Sequence, residues 1–476
     1  MSKASRGKQP PYLGVDGDGR PLIAAPSSSP LSVAGVPIAW VIAVIASSFW
    51  VSAHFLGPLA PVAGVGYVIT SVVLGLLDPR IGSLFTISLV PFYAGEMPQG
   101  LGELARSAPI IGSAIRLLLD RFRGPTPSSS WQPNLPIVLA ALVAIILYPL
   151  TRVTANGAIW ASPERIVDDT LFLVGAPVAM YCSWIVFSHL PHSAVNKAIQ
   201  VLPFIFLASL VVAIGSWAGL AVFDPFAFKG VVYGRLASLG FPTPTAMGVA
   251  VTLPLAAGYL WSRSRNFSIG LILLGILVIV LTQSRGPLIA LMVAAALLVV
   301  SNRKISLRVW IAGISLALLS ACALLLIRYP DLLQKISHGR LPKFYGDELR
   351  VLSWVAGVEV ALQHPITGGG WMSVSGWHDG ELLKSKVNLS HNIVLQGLSD
   401  GGFFLGGAIL TVLIGSLRTA WQRRHSIPSY WLSAAVVLLV CGLWDMPQLR
   451  AYAAVMGGAV LGFVSRKSEE RNDAVA

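Results

Sequence analysis

A succession of long apolar runs constrains this chain more than any other feature of its sequence. A helix needs about 20 apolar residues to cross the hydrocarbon core of a bilayer. Runs of this kind lie near residues 35–53, 58–77, 80–97, 135–151, 166–188, 198–220, 244–260, 267–283, 286–301, 308–327, 393–417, 429–445 and 450–464. Only 12% of the 476 residues are charged, which is about half the share found in soluble domains. The sequence therefore predicts an all-α polytopic membrane protein.

The number of membrane helices depends on the segment 101–119. It carries Glu103, Arg106 and Arg116 among apolar residues. Such a segment can form either an interfacial helix or a poor membrane span. The prediction is therefore about 12–14 transmembrane helices.

Composition divides the chain into four parts. Residues 1–34 are rich in Pro, Ser and Gly, which predicts a disordered cytoplasmic tail. Residues 35–220 hold N-terminal transmembrane helices, and residues 221–417 form a core that includes a long loop at 328–392. Residues 418–476 hold C-terminal transmembrane helices and a second cytoplasmic tail. Function concentrates in loops as long as the one at 328–392.

The formal net charge of +13 is explained by membrane topology. Lys and Arg cluster at alternate ends of successive runs, near 263–265, 303–308 and 418–424. These ends should face the cytoplasm. The outer side, which is the periplasm if the chain lies in a bacterial inner membrane, then receives 221–243, 282–287, 328–392 and 445–450. No soluble module is left for nucleic-acid binding, so no nucleic-acid partner is expected.

Two arginines and a histidine are predicted to meet at the outer membrane boundary. Arg235 precedes a span in "YGRLASLGFPTPTAMG", Arg285 lies in the tight turn "TQSRGP", and His391 opens a span in "SHNIVLQGLSDGGFF". Guanidinium groups grip phosphate oxygens in a bidentate manner, and each charge-assisted bond contributes about 1.5–3 kcal/mol. Two of them can hold a pyrophosphate and stabilise its growing charge as it leaves. An imidazole is suited to take a proton from a sugar hydroxyl.

Each of these residues also has a purely structural interpretation. Arg235 and Arg285 can be interfacial anchors that reach towards water, and His391 can be a hydrogen-bonding residue at a helix start. Arg285 nevertheless runs against the positive-inside trend, since the outer short loops carry few cations. We expect Ser390 to be the N-cap, so that His391 lies in the first turn, where the helix dipole favours the neutral imidazole.

No cofactor or metal is expected. Nothing in the sequence resembles a P-loop or a dinucleotide fingerprint. The histidines of the long loop, His338, His364 and His378, do not have the spacing of metal ligands.

Four stretches carry a resemblance to a known family: "GRLASLGFPTPTAMG", "TQSRGPLIAL", "ELRVLSWVAGVEVALQHPITGGGW" and "SHNIVLQGLSDGGFFLGG". In this order and on a many-span background, they resemble the O-antigen ligase and polymerase family of bacterial membrane glycosyltransferases. The resemblance covers about residues 230–415. The usual Asn after Phe-x-x-Pro is replaced here by "FPTPTA", and the common "GVG" is "GGG" at 368–370.

The resemblance implies a class C glycosyltransferase-like fold, with an O-antigen ligase-like core at 221–417. It implies a donor glycan on undecaprenyl pyrophosphate and a metal-independent, inverting transfer to a glycan or glycolipid acceptor at the periplasmic face. Carried over to this chain, Arg235 and Arg285 would bind the pyrophosphate, and His391 would act as base or position the acceptor. Arg350 matches the arginine of the loop, and Ser284 and Asn392 are predicted substrate contacts.

Three functions remain open from the sequence. A ligase would move a finished glycan to an acceptor such as lipid A–core, which we favour slightly. A polymerase would use the same donor site but move the growing chain onto the next lipid-linked repeat. A transporter or lipid flippase is less favoured, because such proteins often show inverted repeats and charges at mid-bilayer.

Overall fold

The structure is a computed structural model that describes residues 57–92, 98–122, 135–154, 163–227, 231–232, 234–237, 239, 241–301, 348–376 and 389–466. The predicted tail at 1–34, the apolar runs at 35–53 and 308–327, and much of the loop 328–392 lie outside these residues.

The described part of the chain is almost entirely helical. Its α-helices are α1 (Ala60–Leu77), α2 (Pro79–Leu89), α3 (Gln99–Phe122), α4 (Leu135–Thr154), α5 (Pro163–Leu173), α6 (Ala179–His189), α7 (His192–Trp217), α8 (Pro242–Trp261), α9 (Arg265–Leu281), α10 (Arg285–Ser301), α11 (Glu348–Gln363), α12 (Ile393–Gln422), α13 (Ser429–Trp444) and α14 (Ala451–Val464). A π-helical segment, Val174–Val178, joins α5 to α6. Two short strands, β1 (Val231–Val232) and β2 (Arg235–Leu236), pair antiparallel. Short 3₁₀ helices lie at Gly57–Leu59, Ala221–Phe226, Ser373–Gly376 and Pro447–Leu449.

Five helical stretches of the described residues are long and apolar enough to cross a membrane. They are Ala60–Leu77, Leu135–Val153, Ile166–His189, His192–Trp217 and Ile393–Gln422, and shorter apolar helices accompany them. The prediction of an all-α polytopic membrane protein is therefore confirmed. The count of about 12–14 spans includes segments outside the described residues.

One predicted span is wrong. In the run 80–97, the helix extends only over Pro79–Leu89. At 1.5 Å per residue this helix is far shorter than the hydrocarbon core of about 30 Å. The small polar residues Ser83, Thr86 and Ser88 are buried in it and bond to carbonyl oxygens of the preceding turn.

The centre of the bundle is α14, which is buried along its whole length. It packs against α6 through small residues. A Cβ added to Gly458 or Gly462 would collide with the backbone carbonyl oxygens of Met180 and Trp184. Small residues let two membrane helices approach closely enough for their backbones to touch.

The ambiguous segment 101–119 forms part of α3, and its charged residues Glu103 and Arg106 are buried by neighbouring helices. Glu103 and Arg106 are completely buried. The Glu103 carboxylate forms an ion pair with Nη2 of Arg106 at 2.6 Å, and it accepts hydrogen bonds from Nη1 of Arg450 at 3.2 Å and from the Ala451 N–H at 2.7 Å. Buried charges are tolerated when they are paired in this way. The cluster ties α3 to the turn 445–450 that precedes α14.

Candidate functional site

Arg235 is held against the turn that precedes Arg285. Its Nε donates to the carbonyl oxygen of Thr282 at 2.7 Å, and its Nη2 donates to Oγ of Ser284 at 3.0 Å. The β-hairpin that carries Arg235 therefore folds onto the turn between α9 and α10. In this way the first two predicted motifs come together although they are far apart in the sequence.

Arg285 is the first residue of α10 and is half-buried. Its neighbour Ser284 contacts Arg235, and its other neighbour, Gly286, faces the end of α13. A Cβ added to Gly286 would lie 3.5 Å from Cβ of Trp444. The backbone of Arg285 thus lies between the residue that contacts Arg235 and the residue that faces Trp444, at the positive end of the α10 dipole.

His391 lies beside the same turn. Its Nδ1 is 3.2 Å from Oδ1 of Asp445, and its carbonyl oxygen accepts from Nε1 of Trp354 at 3.3 Å. The backbone of His391 has φ 49°, which is in the left-handed region that few residues other than glycine adopt. Such a conformation persists only when surrounding contacts hold it, and here it directs the ring towards Asp445.

Asp445 connects the histidine to the arginines. Its Oδ2 is 3.8 Å from Nη2 of Arg350, and its Oδ1 accepts from the N–H of Met446 at 2.9 Å. Burial would raise the pKa of the Asp445 carboxyl, but His391, Arg350 and the Met446 N–H outweigh burial and hold the pKa below its usual range. Asp445 is therefore a carboxylate at neutral pH.

Arg235 belongs electrostatically to the same group. Burial and the nearby Arg350 lower the pKa of Arg235 to about 10, and Asp445 opposes this shift. The guanidinium is still charged at neutral pH, but it is poorly solvated. An anion entering the site would relieve this cost.

The structure therefore brings Arg235, Arg350 and His391 around Asp445, with Arg285 beside them. Their roles in chemistry stay predictions. The residues come from the β-hairpin, from α10, from α11, from the start of α12 and from the turn after α13.

The helix that follows His391 is not a single straight span. Gly401 (φ −130°, ψ 16°) and Gly402 (φ 65°, ψ −160°) break α12. A Cβ added to Gly397 would lie 3.3 Å from Cα of Gly406, whereas nine residues of straight helix extend about 13 Å. The arm 393–400 therefore folds back along the arm 403–422, so the candidate membrane stretch Ile393–Gln422 consists of two helical arms joined by a bend rather than one straight helix.

The glycines of this region make the bend possible. Gly401 and Gly402 form the bend, and Gly406 receives Leu398 of the folded-back arm. At Gly407 an added Cβ would meet open space.

The N-cap of α12 is Asn392, so the prediction of Ser390 is wrong. Oδ1 of Asn392 accepts from the N–H groups of Val394 at 2.9 Å and Leu395 at 3.1 Å. Both residue types are good caps, but the Ser390 hydroxyl is engaged with Gln396. His391 consequently lies just before α12 rather than in its first turn. The charge nearest to its ring is the Asp445 carboxylate and not the helix dipole.

Two predicted substrate contacts are occupied by the protein itself. Ser284 is buried and accepts from Arg235. Asn392 caps α12 with its oxygen and donates through Nδ2 to the Leu443 carbonyl at 3.1 Å. Both residues thus support the neighbouring Arg235 and His391, and direct contact with a substrate stays a prediction for each.

Sequence reasoning missed Asp445 and Trp354. Asp445 stands in the short outer turn "DMPQLR", where it is a lone acid. An acid on the same predicted face as three basic residues was a usable signal, since a buried cationic cluster needs a counter-charge. Trp354 lies in α11, but nothing in the sequence indicates its bond to the His391 carbonyl.

Two cavities lie away from this group of residues. One of about 390 Å³ is lined by residues of α10, α12 and α13 around Leu417 and Trp421. The other, of about 580 Å³, lies between α4 and α12. Arg418 borders both, near the end of α12 opposite to His391. Neither cavity contains a residue of the candidate site.

The fold and the site define a polytopic membrane protein with arginines grouped around a histidine–aspartate pair. Residues 270–412 match a family model described as O-Antigen ligase. This match confirms the resemblance predicted from the motifs over that part of the chain. The match includes Arg285, Arg350 and His391 but not Arg235 or Asp445. A comparison with curated proteins gave no match.

Proposed function

We propose that the protein transfers a glycan from a polyprenyl-pyrophosphate carrier to an acceptor hydroxyl at the extracytoplasmic face of the bacterial inner membrane. The carrier is the undecaprenyl lipid that the family resemblance implies. The match of residues 270–412 to an O-Antigen ligase model supports a membrane glycosyltransferase. The donor, the acceptor and the mechanism are our proposal.

The observation that carries the proposal is the excess of positive charge around Asp445. Within the described residues, Asp445 is the acidic neighbour of both Arg235 and Arg350, and Arg285 opens α10 beside them. Arginine binds phosphate oxygens in fixed, bidentate geometry. The three guanidinium groups would hold the donor pyrophosphate and stabilise the charge that forms on it as it leaves.

The histidine–aspartate pair would supply the base. With Nδ1 of His391 bonded to Asp445, Nε2 points away from the carboxylate and can accept a proton. The carboxylate orients the ring and stabilises the imidazolium that forms, as in other carboxylate–histidine pairs.

In the proposed step, the acceptor oxygen attacks the anomeric carbon on the face opposite to the pyrophosphate. The bond between the anomeric carbon and the phosphate oxygen breaks, and its electron pair leaves with the pyrophosphate. The hydroxyl proton passes to Nε2 of His391. The products are an inverted glycosidic bond and the polyprenyl pyrophosphate. The guanidinium groups provide the positive charge, so no metal is needed in this scheme.

The test uses a deletion strain complemented with variants. We expect Arg285→Ala and His391→Ala to abolish surface glycan at normal protein levels. The matched control is Arg263→Ala, because Arg263 lies in the turn before α9, at the opposite end of that helix from Thr282. Wild-type surface glycan in either site variant would contradict the proposal.

Ligase and polymerase activity share this donor site. The lipid-linked glycan in the deletion strain separates them: long chains accumulate when a ligase is missing, and single repeats accumulate when a polymerase is missing. We favour the ligase, whose acceptor would be lipid A–core or a similar glycolipid.

A transporter is the alternative from another class, and the break in α12 favours it to a degree, since transporters bind substrates at broken helices. The site residues, however, cluster at helix ends on one side of the bundle. A transporter would move the lipid-linked glycan unchanged, so the product of the purified protein distinguishes the two.

A further inference from the structure

The backbone at His391 is strained and needs support. Its φ of 49° lies in the left-handed region, which a residue other than glycine keeps only when neighbouring contacts hold it. Nε1 of Trp354 holds the carbonyl oxygen, and the Asn392 cap holds the residue that follows. The residue that precedes His391, Ser390, is held by one side chain in the folded-back arm.

That side chain is Gln396. Its Oε1 accepts from the N–H of Ser390 at 2.8 Å and from Oγ of Ser390 at 3.0 Å. Its Nε2 donates to Oδ2 of Asp400 at 2.6 Å. All three residues are completely buried. The Gln396 amide therefore bridges Ser390, which precedes α12, and Asp400, which ends the arm 393–400. It can reach Asp400 because residues 396 and 400 lie on the same helix face.

The far end of this bridge is fixed to a second segment. The N–H of Gly369 donates to the Ser399 carbonyl at 2.7 Å, and the N–H of Gly370 donates to the Asp400 carbonyl at 3.0 Å. Gly368 has φ 69°, and a Cβ there would collide with the backbone of Asp400. The "GGG" segment is thus packed onto the bend of α12, and it anchors the arm that carries Gln396.

We propose that Gln396 is a positioning residue for His391. The Gln396 amide links the bend of α12 to the N–H of Ser390. It thereby fixes the backbone of His391, and with it the direction in which the imidazole faces Asp445. The inference rests on the proposed function, because it assigns Gln396 an effect on the base that this function requires. A displacement of about 1 Å in a reacting group can lower a rate about 100-fold.

The experiment uses the purified full-length protein in lipid nanodiscs. The donor is the lipid-linked glycan that accumulates in the deletion strain, and the acceptor is the membrane glycolipid of that strain. Gln396→Met keeps the side-chain length but removes both hydrogen-bonding ends. We expect kcat per folded molecule to fall about 10- to 100-fold, with the donor KM within about twofold of wild type. Gln396→Asn, which is too short to bridge Ser390 and Asp400, replaces it if the Met variant does not fold.

The matched control is Ser416→Ala. Ser416 is also buried in α12 and hydrogen-bonded, to Nε1 of Trp184 at 3.2 Å, but it lies in the other arm. The Ser416→Ala variant should keep kcat within about twofold of wild type. A kcat for Gln396→Met within twofold of wild type, while His391→Ala is inactive, overturns the inference and leaves the proposed function standing. A rise in donor KM without a fall in kcat also overturns it. Full activity of His391→Ala would overturn the proposed function itself.

Discussion

Replacing Asp445 by asparagine tests the electrostatic core of the site, because it removes one charge and almost no volume. Two contacts change: the 3.2 Å contact with Nδ1 of His391 and the 3.8 Å contact with Arg350. The Arg350 side chain is partly exposed and the separation is long, so this ion pair contributes little. The charge-assisted bond to His391 contributes about 1.5–3 kcal/mol. At 1.36 kcal/mol per factor of ten, its loss corresponds to a fall in kcat of about 10- to 160-fold.

The donor KM should stay unchanged or fall. Without the carboxylate, Arg235 and Arg350 lose the negative charge that competes with a pyrophosphate. The assay is steady-state transfer from lipid-linked glycan by the purified protein, with kcat and donor KM determined separately. Asp224→Asn is the control, since Asp224 is an exposed acid in the 3₁₀ helix before β1. An Asp445→Asn enzyme with unchanged kcat and a raised KM would refute this reasoning, because that pattern means lost ground-state binding.

Four further outcomes follow from the structure. EDTA should leave transfer by the purified protein unchanged, and a strict Mg²⁺ requirement would contradict the role given to the guanidinium groups. The pKa of the Asp445 carboxyl is lowered in the folded state, so the stabilisation by its charge is present above pH about 4 and is lost as the pH falls through the folded pKa. The difference in Tm between wild type and Asp445→Asn should therefore be larger at pH 7 than at pH 3. An equal difference at both pH values would contradict this prediction. Gly402→Ala should lower stability by at least about 1–3 kcal/mol, seen as a lower Tm, because φ is 65° and the new Cβ would collide with the Ile366 carbonyl. Glu103→Gln should reduce the amount of folded protein, because it removes the charge that pairs with Arg106 and Arg450. The loss should lower the free energy of unfolding by about 3–5 kcal/mol, and a normal yield of folded protein would contradict this prediction.

Apolar periodicity was sufficient to predict most of the helices. The runs at 135–151, 198–220 and 429–445 coincide with α4, α7 and α13. The loop helix α11 was also predictable, because Leu352, Val355, Val358 and Leu362 recur at helical spacing. Local chemistry further singled out Arg235, Arg285 and His391, because charged residues are rare in this chain and each of the three stands at the end of an apolar run. Arg350 was singled out by the resemblance to the family.

Contacts between distant segments were not predictable in this way. The bend at Gly401–Gly402 lies inside an apolar run that looks like an ordinary span, and it brings together residues such as Gly397 and Gly406 that a straight helix would separate. Asp445 is one acid in a six-residue turn, and its pairing with His391 depends on how α12 and α13 pack. Ser390 and Asn392 are both good N-caps, and the choice between them was decided by Gln396.

The most direct test of the proposed chemistry is to determine the product formed by the purified protein from a lipid-linked glycan of known anomeric configuration and a membrane glycolipid acceptor. Nuclear magnetic resonance of the new linkage and mass spectrometry of the released lipid would be read from one reaction that contains EDTA. We expect the glycan on the acceptor with inverted configuration, together with free polyprenyl pyrophosphate. An intact donor after incubation with competent acceptor, or a linkage with retained configuration, would contradict the account.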